Sequence, residues 1–220
     1  MDLIGDWTDP LLQEDEYKIG EGQYYSLLKQ VAQETKGTCQ CCGFQMPLSS
    51  TDPTGALNLC LSPRESVVDK DNAVTLCDGC VRLNSLDNLA GAGQFVELPW
   101  ISQSDLTNAL RVIYCVQASN DERVHKTRVW QGSNNILTAL ARHPENWKPL
   151  GFDGSPEMVK DTIDNDKGFY QKEGKNSRLY IDRLRFFFHR KAEPPAIERW
   201  KPVIETQVIQ AEIAMETGQI

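Results

Sequence analysis

Long apolar runs, histidine and an excess of basic charge are all missing or scarce in this sequence. No window approaches the roughly 18 consecutive apolar residues of a membrane-spanning helix, so none is expected. Met1 to Glu16 is acidic and lacks both a basic start and an apolar stretch, so no signal peptide is expected either. Acids outnumber bases by 31 to 23, giving a formal charge of -8, and the average field therefore repels a polyanion. Histidine occurs three times, at 125, 143 and 189. There is no low-complexity tract and no internal repeat, which sets aside fibrous, disordered and solenoid architectures.

What is present describes a folded chain. With 220 residues, 40 % of them apolar, and five Trp, the chain suits one domain with a sizeable core, or a small module with a second lobe. Two large independent domains would not fit. Charge is unevenly spread: residues 1–36 hold three bases against eight acids, and residues 171–201 hold nine bases against four acids. The basic stretch reads either as a solvated helix face or as a surface for an acidic partner, a phosphate backbone or the protein's own acidic face.

Seven cysteines are an odd number, and four stand in two Cys-x-x-Cys pairs, which suits metal binding in a reducing compartment better than a secreted disulfide framework. The expected location is the cytoplasm. Each pair is a short turn that aims two thiolates at one ion, and two such turns complete the tetrahedral site zinc favours. Cys39 and Cys42 form the first, followed by Gly43 where the backbone must be permissive; Cys77 and Cys80 form the second, 34 residues on. One structural Zn2+ held by Cys39, Cys42, Cys77 and Cys80 is the expectation. Seven unliganded buried thiols and a redox dithiol are the alternatives. Cys41 is expected to point away from the metal, and Cys60 and Cys115 to be buried thiols.

Along the chain, residues 1–20 read as an irregular arm. Tyr24, Leu27, Leu28 and Val31 recur at helical spacing, with Gly37 as the stop. The stretch from Cys39 to Asn84 is rich in turn residues, as a metal-organised lobe would be. Phe95 to Trp100 predicts a short strand or extended segment, then a helix capped by Ser102 with Leu106, Leu110, Ile113 and Tyr114 on its buried face. Further helices are expected around Ile136, Leu137 and Leu140, ending before Pro144, and from Ser155-Pro156. Leu179, Leu184, Phe187 and Phe188 predict the apolar face of a basic helix that Pro194-Pro195 interrupts. Ile197, Trp200, Ile204, Val208, Ala211 and Met215 predict a terminal helix that Pro202 kinks.

The first knuckle, an apolar segment and Asp71 through Cys80 together resemble the HNH nuclease family over residues 37–84, with Asn72 matching its asparagine. The resemblance implies a ββα zinc module, but its catalytic histidines are unmatched. The segment Leu57 to Pro63 has no general base, and Val81 stands where a histidine would hold the catalytic magnesium. A closer similarity is to the IcmJ (DotN) family of type IVB secretion and conjugation systems. It lies in Cys39 to Gln45, Leu57 to Leu59, Asn72 to Thr75 and Leu98 to Cys115, and more loosely in Ile197 to Trp200. Cys60 and the divergent N-terminal arm and C-terminal helix depart from it.

These resemblances imply an α+β chain: an N-terminal arm and helix over residues 1–36, a small HNH-like ββα zinc module over 37–90, and a mainly helical remainder over 91–220 packed on it as one globular unit. The implied function is a non-catalytic adaptor of the coupling complex, peripheral at the cytoplasmic face of the inner membrane through that complex. Its partners would be the C-terminal tail of the coupling ATPase and other coupling-complex subunits, with Trp100, Tyr114, Trp130 and Trp147 as candidate contacts. A zinc-containing nucleic-acid-binding module, using Lys172 to Lys191 with Tyr180 and Phe186 to Phe188, is the alternative. A weak HNH nuclease using His125 or His143 is a further one.

Overall fold

A computed structural model shows an α+β protein, mainly helical, with two small antiparallel sheets among the described residues. It describes residues 20–61, 70–83, 86–142, 154–165, 184–192 and 194–219. The chain divides into two compact units, Met1–Leu89 and Ala90–Ile220.

In the first unit, α1 (Glu21–Glu34) buries Tyr24, Leu28, Val31 and Ala32 on one face, as the sequence spacing predicts. It ends in a left-handed turn: Gly37 N–H donates to Ala32 O at 2.8 Å and Lys36 N–H to Gln33 O at 3.2 Å. That turn starts at Lys36 (φ 54°), one residue before the glycine expected to stop the helix, and continues through Gly37 (φ 72°). Strands β1 (Asn58–Leu61) and β2 (Ala73–Leu76) pair from Asn58↔Leu76 to Leu61↔Ala73, and α2 (Asp78–Arg82) follows at once.

A two-stranded ladder is marginal by itself, because its outer N–H and C=O groups need partners once buried. Here neighbouring segments supply them. The Tyr24 hydroxyl accepts from Leu59 N–H at 3.0 Å, fastening α1 to the outside of β1. On β2, Gln40 takes both groups of Thr75: its Oε1 accepts the Thr75 N–H at 2.8 Å and its own N–H donates to Thr75 O at 2.9 Å.

The second unit contains β3 (Gly93–Glu97), α3 (Gln103–Gln117), α4 (Glu122–His125), α5 (Arg128–Arg142), α6 (Pro156–Asn165), β4 (Leu184–Phe188) and α7 (Pro194–Glu216). Helix α3 is central, packing on α5, α7 and β4. Its start is fixed by Ser102, whose Oγ accepts from Asp105 N–H at 3.0 Å and donates to the Asp105 carboxylate at 2.7 Å. Leu106, Leu110, Ile113 and Tyr114 are buried as predicted. Helix α5 ends before Pro144 as predicted, although it begins eight residues before Ile136, at Arg128. Helix α6 is capped at Ser155, whose Oγ accepts from Met158 N–H at 3.2 Å.

The segment expected as a basic helix is a strand from Leu184 onward. Leu184, Phe186 and Phe188 are buried, whereas Arg185 and Phe187 between them are half-buried, a period of two rather than 3.6. The apolar run satisfied both periods, and pairing with β3 (Gly93↔Phe188 to Glu97↔Leu184) decided between them. Leu179 lies outside the described residues. Gln103 closes the outer edge of β4: its Oε1 accepts Phe186 N–H at 2.7 Å and its Nε2 donates to Phe186 O at 3.0 Å. The Tyr114 hydroxyl donates to Phe188 O at 2.6 Å.

The two prolines expected to break a helix instead open α7, where their missing N–H groups cost nothing. Ile197, Trp200, Ile204 and Val208 are buried along it; Ala211 and Met215 are half-buried, and Pro202 lies inside the helix. Buried Arg111 from α3 lies over the Trp200 ring at 4.1 Å, and Glu212 accepts from Arg128 N–H at 3.1 Å at the start of α5. No helix among the described residues is long and apolar enough to cross a membrane.

Replacing Gln103 by Leu strands the N–H and C=O of Phe186, a fully buried residue, and should cost roughly 2–5 kcal/mol in urea unfolding of the intact chain followed by Trp fluorescence. Gln103→Glu keeps the acceptor but turns the donor into a carboxylate oxygen facing a carbonyl. Its loss should shrink on acidification, because the protonated acid donates again and protonation is then favoured by folding.

Candidate metal centre

The first knuckle is a tight hairpin over residues 37–46. Met46 N–H donates to Gly37 O at 2.9 Å, Cys39 N–H to Phe44 O at 2.8 Å and Gly43 N–H to Cys39 O at 2.8 Å, while Thr38 bridges Gln45. Positive φ at Gly37 and Gly43 lets the chain reverse here. A Cβ on Gly37 would stand 2.1 Å from Met46 O, so this position admits glycine alone. The second knuckle straddles the start of α2: Cys77 occupies the N-cap position, without a side-chain capping bond, and Cys80 lies in the first turn. Gln40, inside the first knuckle, holds Thr75, two residues before the second. The bonds that close the β2 edge thus bring the two cysteine pairs together.

The ligand atoms of Cys39, Cys42, Cys77 and Cys80 all lie within 4.8 Å of one another. These four are the residues singled out from spacing. Four sulfurs about 2.3 Å from a central zinc would stand about 3.8 Å apart. The Cys42 and Cys77 sulfurs are 3.8 Å apart, so the donor set fits a tetrahedral thiophilic ion. The site is shielded from solvent: Cys39 and Cys80 are fully buried, Cys77 is 2 % exposed and Cys42 9 %. Cys77 N–H donates to Cys39 Sγ at 3.3 Å, the kind of contact that favours a thiolate. All seven cysteines are thiols outside any disulfide.

Charge is the difficulty of such a cluster. Contact with Cys42 raises the Cys39 thiol, yet hydrogen bonds from Cys77 and Cys80 outweigh it and bring Cys39 down to about 7. The Cys80 thiol is pushed far up, first by Cys39 and then by Cys41, Cys42 and Cys77. The group thus accommodates one negative charge readily and resists more unless a cation neutralises them.

Cys41, between the two cysteines of the first knuckle, is half-buried and packs against the cluster that contains the four candidate ligands. Cys60 and Cys115 are buried as predicted, and burial pushes the Cys115 thiol up to about 12. Asn58 donates to the Asp78 carboxylate at 2.8 Å. His125 and His189 belong to the second unit, where His125 Nε2 meets Ser119 O at 2.9 Å and His189 N–H donates to Ala92 O at 2.8 Å. His143 lies outside the described residues.

Of the four aromatic contact candidates, Trp100 is 74 % exposed, Trp130 is half-buried against His125, and Tyr114 is a core residue. Trp147 lies outside the described residues, as do Lys172, Tyr180 and the rest of the basic stretch before Leu184.

Fold and site together define an α+β protein with a four-cysteine cluster able to hold one metal ion. No protein-family model matches the chain, and no curated protein matches it either.

Gly37→Ala should displace the first knuckle, costing roughly 2–4 kcal/mol and weakening metal binding in a chelator competition titration. Gly43→Ala, with open space around its Cβ, should cost only about 1 kcal/mol for its positive φ.

Proposed function

We propose that this chain is a zinc-stabilised, non-catalytic adaptor of a type IVB secretion or related conjugation coupling complex, which holds the C-terminal tail of the coupling ATPase. The observation that carries the zinc part is the convergence of four buried thiols within 4.8 Å of one another, with the Cys42 and Cys77 sulfurs 3.8 Å apart. Four thiolates close the coordination sphere, leaving no position for water or substrate. The residues that would do this are Cys39, Cys42, Cys77 and Cys80, and the ion's contribution is to neutralise them and hold the two knuckles together.

The order β1, β2, α2, with cysteine pairs before β1 and around the start of α2, supports the HNH-like reading of this module. Its chemistry supports a non-nucleolytic one. Leu57, Leu59 and Cys60, in the segment where a general base would stand, are buried apolar side chains, and Val81 is half-buried. Asn58, within that segment, and Asp78, three residues before Val81, are bonded to each other. The adaptor role and its place at the inner membrane rest on the resemblance to the IcmJ (DotN) family in the segments quoted above. Trp100, large, exposed and set between Pro99 and α3, is the first residue to test as an anchor for the tail.

Binding of nucleic acid by the basic stretch is weakened as an alternative. Phe186 and Phe188, needed there as stacking platforms, are buried against Phe95 and each other.

Elemental analysis of the purified chain should give one zinc per chain, and the same preparation should retain the coupling ATPase's C-terminal tail in a pull-down. Strong chelation should unfold the first unit and release the tail. A folded chain without metal would overturn the zinc reading, and a zinc-loaded chain that ignores the tail would overturn the adaptor reading.

A further inference from the structure

The end of α3, the basic turn after β4 and the start of α7 border a cavity of about 400 Å3, lined by Ala118, Arg190, Lys191, Ile197 and Glu198. All of these residues belong to the second unit, so the site is independent of the metal reading. Its walls are held by bonds on either side of the turn. The Tyr114 hydroxyl donates to Phe188 O at 2.6 Å, His189 N–H donates to Ala92 O at 2.8 Å, and the Cys115 thiol lies 3.8 Å from Ile197 O. A preformed cavity of this volume falls within the range of small-ligand sites, about 300–1,000 Å3.

Arg190 and Lys191 give the cavity its character. Both side chains are exposed, and neither forms an ion pair or hydrogen bond among the described residues. Other cations of this unit are engaged: Arg123 with Asp121, Arg128 with Glu212, and Arg185 with the carbonyl oxygens of Ile101 and Leu184. Nor do Arg190 and Lys191 hydrogen-bond the carbonyls that end α3, the ordinary use of a cation beside a helix C-terminus. Glu198 is the one acid in the lining, and its carboxylate is 3.6 Å from Lys201. Two neighbouring cations repel each other, and an anion between them relieves that repulsion. Beside them, Ala118 is half-buried and Ile197 buried, so the lining is apolar at one end and cationic at the other.

We infer that this cavity binds a carboxylate that carries a compact apolar group. The carboxylate accepts from the Arg190 guanidinium and the Lys191 ammonium, and the apolar group lies against Ala118 and Ile197. Two bases against one acid leave the lining a single net positive charge, which suits a monoanion better than a dianionic phosphoryl group that Glu198 would repel. A bare inorganic anion would leave the apolar end in contact with water. The same chemistry is offered by a free small acid and by a polypeptide chain end with an apolar last residue, since each presents one carboxylate beside one apolar side chain.

The test titrates the full isotope-labelled chain with N-acetyl-leucine and follows backbone amide shifts by NMR. Saturable shifts are expected at Ala118, Arg190, Lys191, Ile197 and Glu198. N-acetyl-leucinamide, which lacks the charge, should give none, and acetate, which lacks the apolar group, should bind on the order of tenfold more weakly. Arg190→Gln and Lys191→Gln, both at exposed positions, should keep the spectrum of the folded chain and each weaken binding by on the order of tenfold, whereas Glu198→Gln should tighten it. A short peptide ending in a free leucine carboxylate separates the two sources: tighter binding than N-acetyl-leucine assigns a chain end, and equal or weaker binding a free acid. Absence of saturable shifts, an equal response to the amide, or unchanged binding when both cations are replaced overturns the assignment.

Discussion

Four sulfurs within reach of one ion cannot all carry charge unless a cation sits among them, and the first unit is arranged around that constraint. The Cys39 thiol is brought down while Cys80 is pushed up, so the cluster without metal is a compromise. A divalent ion among them would remove the repulsion and replace weak thiol contacts with metal–sulfur bonds. The surrounding structure delivers the sulfurs to the right place and keeps water out. Glycine at 37 brings the hairpin close to Met46, and the docking of Gln40 on Thr75 sets the distance between the two knuckles.

The same device appears in both units. Among the described residues each contains a two-stranded sheet, too small to satisfy its own edges, and in each a glutamine stands in for a further strand. Gln40 uses one side-chain oxygen and its own backbone N–H on Thr75; Gln103 uses both ends of its amide on Phe186. A tyrosine adds a further contact in each case, Tyr24 to Leu59 and Tyr114 to Phe188. The polar atoms close the hydrogen-bonding requirement of the ladder while their carbon stems stay within the packed interior, which lets a two-stranded sheet lie in a core made mostly by helices.

Much of this was legible in the sequence. Where a local rule decides the outcome, as at the Ser102 cap, the stripe on α3 or the paired Cys-x-x-Cys turns, spacing alone places the residues. It fails where the deciding partner is remote. Leu184 to Phe188 fits a helix or a strand, and the strand wins through pairing with β3, some ninety positions earlier. Gln40 and Gln103 look like ordinary polar residues, since nothing in a single sequence marks an amide that will meet a buried backbone.

The separation between the cysteine pairs also sets an order of assembly. The first knuckle closes over a few residues, a local event on the nanosecond to microsecond scale, whereas the second pair must be brought across 34 intervening residues at an entropic cost of about 3 kcal/mol. An ion present during folding would meet Cys39 and Cys42 first. Only when β1, β2 and α2 have come together would Cys77 and Cys80 also be within its reach. Metal capture would thus begin locally and finish with a longer-range closure, at a rate set by how fast the middle segment folds back.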